Sequence, residues 1–307
     1  MKIFLSWSPV PPDPPFWKWI TLDGIVVSIA LLKQKRLLER ATLVGLHRLL
    51  GFKGRIFLDS GSYEDSITDK QLRPKSPEEL LTYAKWMGVD LVSHLDTPFV
   101  GRNAKLSEKE KWHILEKNIL NAQICHEASR RSASVARVVY VIQGWNEQSL
   151  TYCCEELAKL NERYYALGSL FGLQPQEIEF RVRLVREILG KKPKLHLFAV
   201  SNLIAVRRVK GLIDSIDSST ASVAGAMKEI IRPHGRRSHI NRADEVPDCN
   251  CPICSTHKGA IFLLGREGKQ NYYNQLRKIH NAYQLLASLR QIAGTNSHRR
   301  IKCKAQT

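Results

Sequence analysis

After an opening broken by prolines, the chain alternates short runs of β-branched and aromatic residues with longer stretches whose apolar positions recur at helical spacing. The short runs are Arg55–Asp59, Asp90–Asp96, Arg137–Gln143, Tyr164–Gly168, Lys194–Val200 and Gly211–Asp217. Between them lie Ser76–Met87, opened by Ser-Pro-Glu-Glu, then Ser107–Arg131, Gln148–Glu162 and Pro175–Leu189, each long enough for one crossover helix. This rhythm predicts an α/β fold with a mainly parallel sheet or barrel. Most of the runs end in a polar residue or a glycine. In a (β/α)8 barrel the active site is built at the C-terminal strand ends, so Asp59, Asp96, Gln143, Gly168 and Asp217 would converge on one mouth.

The rhythm breaks between 231 and 248, where Arg232, Arg236, Arg237 and Arg242 make a polar, basic loop. It resumes in a last helix, Tyr272–Ile292, before a basic tail from Asn296 that is expected to fray. Between loop and helix stands Cys249-Asn-Cys251-Pro-Ile-Cys254, and His280 follows on the helix. Three thiolates and an imidazole suit tetrahedral Zn²⁺ and leave no open position, so this metal would be architectural and the chemistry would lie elsewhere. His257, close behind the cluster, is an alternative fourth ligand by local spacing. The expected organisation is a barrel over 1–230, a zinc-binding subdomain with its closing helix over 231–295, and a tail over 296–307.

Composition narrows the partners. Forty-seven Lys and Arg against 29 Asp and Glu give a net charge of +18, which points to a polyanion, most simply nucleic acid. Seven cysteines without a framework spacing fit a reducing compartment. Prolines interrupt the N-terminus before any signal-like apolar run, and the longest such run, Gly24–Leu32, is too short to span a bilayer. A cytoplasmic protein without membrane attachment is expected.

Asp59-Ser60-Gly61-Ser62-Tyr63 sets a carboxylate and a ring at a strand end, a pairing suited to a planar heterocycle. The segment Gly45–Tyr63 that contains it closely resembles the corresponding part of the tRNA-guanine transglycosylases. Leu95-Asp-Thr-Pro98, Val141-Ile-Gln-Gly144, Tyr165–Leu170, Lys192–Val200, Ile213-Asp-Ser-Ile-Asp217, the cysteine cluster and His280-Asn281 follow in that family's order, so the resemblance covers roughly residues 45 to 292. It implies a TIM barrel with a zinc subdomain that exchanges a guanine in nucleic acid for a free 7-deazaguanine. By the same resemblance Asp217 is the nucleophile at C1′ and Asp59 the general acid and base. Asp96, Gln143 and the Gly168 backbone, with Ser60 beside them, read the guanine edge. Tyr63 and Phe198 sandwich the ring. His94 competes with Asp96 for the base-binding position, and Asp214 with Asp217 for the nucleophile. Arg207, Arg208, Lys210, Arg232, Arg236, Arg237 and Arg242 are the candidates for holding phosphates around an unpaired or flipped-out nucleotide.

Three departures bear on the substrate. Ser218-Ser-Thr-Ala-Ser222 replaces the Leu-Pro-Thr-Arg that follows the nucleophile in bacterial members, Ser169 stands where those have a second glycine, and the chain ends soon after the zinc helix. With the positive charge, these favour the branch that inserts 7-deazaguanines such as preQ0 into DNA, with accessory DNA-modification proteins as candidate partners, over tRNA. A homodimer is expected by family analogy alone. A catalytically silent, zinc-containing nucleic-acid-binding subunit is the alternative, against which the presence of both Asp59 and Asp217 counts.

Overall fold

The computed structural model describes residues 1–68, 71–131, 136–239, 249–257 and 270–294. Eight parallel strands close into a barrel in sequence order: β1 (Lys2–Trp7), β2 (Gly24–Ser28), β3 (Arg55–Asp59), β4 (Leu91–Ser93), β5 (Arg137–Ile142), β6 (Tyr164–Leu167), β7 (Lys194–Leu197) and β8 (Ser215–Ser218). The six expected strands are present. The first two replace what reads in the sequence as a proline-broken opening and an unassigned apolar run. β1 closes the barrel by pairing with β8, setting Phe4 beside Asp217.

Strands of such a barrel are buried on both faces, which explains their nearly continuous apolar sequences. One face fills the barrel with Phe4, Val26, Phe57, Leu91, Val139, Val141 and Ala166. The other, including Ile3, Leu5, Ile25, Val27, Ile56 and Leu58, packs under the helices. Each fully buried side chain of this size contributes roughly 1.5–3 kcal/mol, so the barrel is a packed core and not a pore.

The helices are α1 (Ile29–Gln34), α2 (Leu38–Val44), α3 (Leu46–Leu50), α4 (Ser62–Ile67), α5 (Pro77–Met87), α6 (Glu108–Arg131), α7 (Glu147–Ala158), α8 (Pro175–Leu189), α9 (Leu203–Val209), α10 (Thr220–Ala226) and α11 (Gln270–Ala293). Their starts follow local chemistry. Ser76 accepts from the Glu79 N–H ahead of a proline-opened α5, and Asn146 and Ser149 form a capping box on α7. A short antiparallel pair, β9 (Glu229–Ile231) with β10 (Arg237–His239), precedes the cysteine cluster. α11 packs against α10 and β9, and its buried Lys278 pairs with Asp13 at 2.7 Å, tying the proline-rich opening to the last helix. Among the described residues no helix is long and apolar enough to cross a membrane.

Candidate active site

β3 delivers Asp59 to the C-terminal rim, and the chain must turn at once to start α4. Gly61 makes that turn at φ +82°, where a Cβ would also come within 2.6 Å of Ala30 Cβ, so glycine is required on two counts. The turn aims the Gly61 N–H at Asp59 Oδ2, 2.9 Å away. Burial raises the Asp59 carboxyl well above the usual carboxylate range, and the neighbouring Glu64 and Asp96 raise it further. Glu64, on α4, is itself raised by burial and accepts from Ser28 Oγ at 2.9 Å, at the end of the neighbouring strand. The mouth therefore holds a carboxyl group that keeps its proton to higher pH than an ordinary aspartate.

Asp217 lies at the end of β8 in a different setting. It is 4% exposed, yet its Oδ1 accepts from the Ala199 N–H at 2.9 Å and lies 3.2 Å from His196 Nε2, while Oδ2 accepts from Ser6 Oγ at 2.8 Å. Ala199 holds its amide in place at φ +57°, a left-handed conformation that costs a non-glycine residue free energy. Asp214, the competing candidate, sits at the opposite, N-terminal end of the strand. There it pairs with Lys194 at 2.7 Å and Arg186 at 3.2 Å and accepts from the Leu195 N–H, a structural tie at the bottom of the barrel.

Between the two carboxyl groups is a buried polar chain. Asp96 Oδ2 accepts from Gln143 Nε2 at 2.6 Å, and Oδ1 accepts from Ser60 Oγ at 3.1 Å. Gln143 Oε1 in turn accepts from Ser169 Oγ at 2.6 Å, and that hydroxyl accepts from the Phe99 N–H. Gly168 is needed for this packing, because a Cβ there would fall 2.4 Å from the Gln143 amide. The loops carrying these groups are braced from behind. Buried Arg181 donates to the carbonyls of Gly144 and Trp145, Asn118 bonds both the N–H and C=O of Thr97, and Arg73 donates to the Asp96 carbonyl. His94 does not enter the pocket. Its Nδ1 accepts from the Val141 N–H, its ring stacks on Tyr140, and burial lowers its pKa.

Asp59, Ser60, Asp96, Gln143, Gly168 and Asp217 are thus brought to one mouth, whereas the expected phosphate contacts on α9 are not. Tyr63 is 44% exposed and faces Phe171, with ring centroids 6.5 Å apart. Phe198 packs against Phe57 and His196, with ring centroids 5.4 and 4.9 Å apart. Arg207 and Arg208 occupy the last turn of α9, with Lys210 at its C-cap. Because the helices run back against the strands, this is the bottom of the barrel, and Arg208 pairs with Glu179 at 2.7 Å. The expectation that these three hold phosphates at the mouth does not fit that placement. Arg232 donates to Ser238 and Arg237 lies 3.5 Å from Glu229 within the β9–β10 pair, Arg236 is exposed beside them, and Arg242 lies outside the described residues. Ser6, Glu64 and His196 contact the mouth residues and were missed by sequence reasoning, whereas Ser169, singled out there as a departure, does bond Gln143. The signal for His196 was a lone polar residue inside the apolar run of β7.

The cysteine cluster is built differently. One ligand atom each from Cys249, Cys251, Cys254 and His280 lies within 4.8 Å of all the others, and the three sulfurs are 3.3 to 3.5 Å from His280 Nδ1. Zn–S bonds of about 2.3 Å and Zn–N bonds of about 2.0 Å give tetrahedral edges of roughly this size. His280 Nε2 lies 3.1 Å from the Ile231 carbonyl, which fixes the tautomer in which Nδ1 is the nitrogen that would ligate. These residues fit a structural zinc ion. His257 instead contacts Thr256, outside the cluster.

A family model described as queuine tRNA-ribosyltransferase matches residues 22–294. Similar curated proteins include the tRNA-guanine(15) transglycosylases of Aeropyrum pernix, 28% identical over 88% of this chain and 51% of that protein, and of Methanopyrus kandleri, 26% identical over 89% and 58%. That of Korarchaeum cryptofilum is 25% identical over 87% of this chain and 45% of its own length. The chain spans about half the length of these relatives. With a matching model over most of its length and a closed barrel bearing a Cys3His cluster, the chain belongs to the queuine tRNA-ribosyltransferase family.

Proposed function

We propose that this protein is a guanine transglycosylase, a pentosyltransferase that replaces a guanine in a polynucleotide with a free 7-deazaguanine. The observation that carries the reading is the contrast between two carboxyl groups at one mouth: Asp217 is ringed by donors, while Asp59 is raised well above the ordinary range. Donors held on one carboxyl group and a retained proton on the other suit a nucleophile and an acid. Asp217 attacks C1′ of a flipped-out nucleotide as Asp59 gives its proton to the departing guanine. The incoming base then displaces Asp217, returning a proton to Asp59, so two displacements retain the anomeric configuration.

Asp96 and Gln143 suit the edge of guanine. A carboxylate accepts from the ring N–H and exocyclic amine. The Gln143 amide, its oxygen already committed to Ser169, is left to donate to the carbonyl. Cys249, Cys251, Cys254 and His280 would hold a Zn²⁺ ion that, with no open coordination position, would brace the C-terminal segment against β9.

The relatives are named for tRNA, which favours tRNA over the DNA expected from the sequence departures. DNA is kept as a second reading on one observation. After the nucleophile, Ser218 Oγ accepts from the Thr220 N–H, Thr220 Oγ1 bonds Ser201, and the fourth position, where the pattern Leu-Pro-Thr-Arg has its arginine, is the buried Ala221. Supplying labelled guanine or preQ0 with unmodified tRNA in one arm and duplex DNA in the other decides between them. Label in tRNA supports the first reading, label in DNA alone the second, and label in neither refutes the activity.

A further inference from the structure

His196 is in direct contact with Asp217, yet the proposed exchange gives it no step. Its ring is 4% exposed and stands in the apolar barrel interior, with the rings of Phe4, Phe57 and Phe198 at centroid distances of 5.9, 5.3 and 4.9 Å. Both ring nitrogens are nevertheless engaged: Nε2 lies 3.2 Å from Asp217 Oδ1 and Nδ1 lies 2.9 Å from Ser215 Oγ. An ionised carboxylate only accepts, so Nε2 carries the hydrogen, and the rotatable hydroxyl of Ser215 serves Nδ1. A polar ring in such a layer costs free energy to bury unless its bonds matter, and the strained Ala199 amide converges on the same carboxylate oxygen.

Resting on the reading of Asp217 as nucleophile, we infer that His196 is a positioning residue that selects which oxygen of Asp217 reacts. The His196 imidazole and the Ala199 amide hold Oδ1 with two N–H donors, which draw charge from it and occupy the space a carbon would need. Oδ2 has one donor, the hydroxyl of Ser6, which can rotate away. In the first displacement the Oδ2–C1′ bond forms as the C1′–N9 bond breaks. Its electron pair leaves with guanine, which takes the Asp59 proton. Oδ1 becomes the carbonyl oxygen of a neutral glycosyl ester, still bonded to the same donors. In the second displacement the base attacks C1′, Oδ2 departs, and negative charge returns to a carboxylate whose donors are already in place.

The full-length chain, its His196→Phe and His196→Gln variants and Ser215→Ala separate this role from simple packing. The readouts are steady-state exchange, single-turnover formation of the covalent adduct, and melting temperature. Phenylalanine matches the surrounding rings but donates nothing, so kcat and the adduct-formation rate should fall about 100-fold, the usual loss for one preorganised donor. KM for the free base should stay within about threefold, because no contact to the base is removed. Glutamine can donate to Oδ1 and should recover about tenfold of the loss, while Ser215→Ala, which only loosens the ring, should lower kcat by about fivefold. The inference is overturned if His196→Phe retains wild-type kcat, if kcat and active-site content fall together with the folded fraction, or if glutamine is no better than phenylalanine. Should His196→Phe not fold, an unchanged kcat in Ser215→Ala overturns it equally. A wild-type chain that exchanges no base refutes the underlying reading, a result distinct from active wild type with unaffected variants.

Discussion

The barrel mouth and the cysteine corner are both buried polar clusters, and they resolve the cost of burial in opposite ways. In the corner, four metal-ligating side chains point at one another across 3.3 to 3.5 Å contacts to His280 Nδ1, a geometry that a cation completes and closes. At the mouth, Asp59, Glu64, Asp96 and Asp217 bring like charges together, and hydrogen-bond donors and the proton retained on Asp59 relieve them. A closed cluster stores stability. A crowded, open one leaves a carboxyl group that holds its proton, Asp59, at a barrel mouth.

Exchanging the roles of the two regions should fail in characteristic ways. The largest effect is expected from Asp217→Asn, which keeps the shape but removes the nucleophile: exchange should drop about 10⁴-fold or more while the melting temperature barely moves. An active Asp217→Asn chain would contradict the assignment. Cys251→Ser acts in the opposite sense, releasing bound zinc and lowering stability on the order of 4 kcal/mol, with kcat per folded molecule preserved. Metal analysis and denaturant unfolding measure this, and an unchanged stability would show that the corner is not structural.

The mouth also carries its own pH signature. Because burial, then Glu64 and Asp96, raise Asp59, its acid form persists above the ordinary aspartate range and is lost as pH rises through the raised value. Base release should therefore slow on the alkaline side, and Asp59→Asn should abolish that limb of the single-turnover profile. By the same sign, the stability contributed by the Asp59 proton is fully present below the ordinary pKa and disappears as pH rises past the raised one. Ser169→Ala should have a smaller consequence, freeing the Gln143 amide to turn and reducing discrimination between guanine and adenine-type bases by about tenfold. Competition between the two bases in the exchange assay reads it. Least of all is expected from Arg208→Ala: its side chain is exposed, paired with Glu179, and lies at the bottom of the barrel, so polynucleotide affinity should not change. A clear loss of affinity would restore Arg208 to the binding surface.

Much of this architecture is legible in the residues. The later strands show themselves because most of the apolar runs stop at a polar residue or glycine on the rim, and α5, α7 and α8 carry their own start signals. β1 and β2 do not: Lys2–Trp7 is followed at once by a proline-rich stretch, and only its pairing with β8 identifies it as the strand that closes the barrel. The same blind spot hid Ser6. Phosphate candidates drawn from sequence proximity to Asp217 misled for a geometric reason, since a helix seven residues long is enough to carry Arg207 and Arg208 from one end of the barrel towards the other. Long-range partners such as His196 with Asp217, 21 residues apart, or Ser6 with Asp217, 211 apart, belong to closure of the barrel and have no local signature.

The central claim is a covalent glycosyl bond to Asp217, and trapping it is the most direct test. Wild-type protein is incubated with unmodified tRNA and with duplex DNA without free base, denatured, and digested for mass mapping of any nucleotide adduct. The account predicts an adduct on the peptide containing Asp217, absent in Asp217→Asn and discharged by adding guanine. An adduct on another residue, or base exchange with none at Asp217, would contradict it.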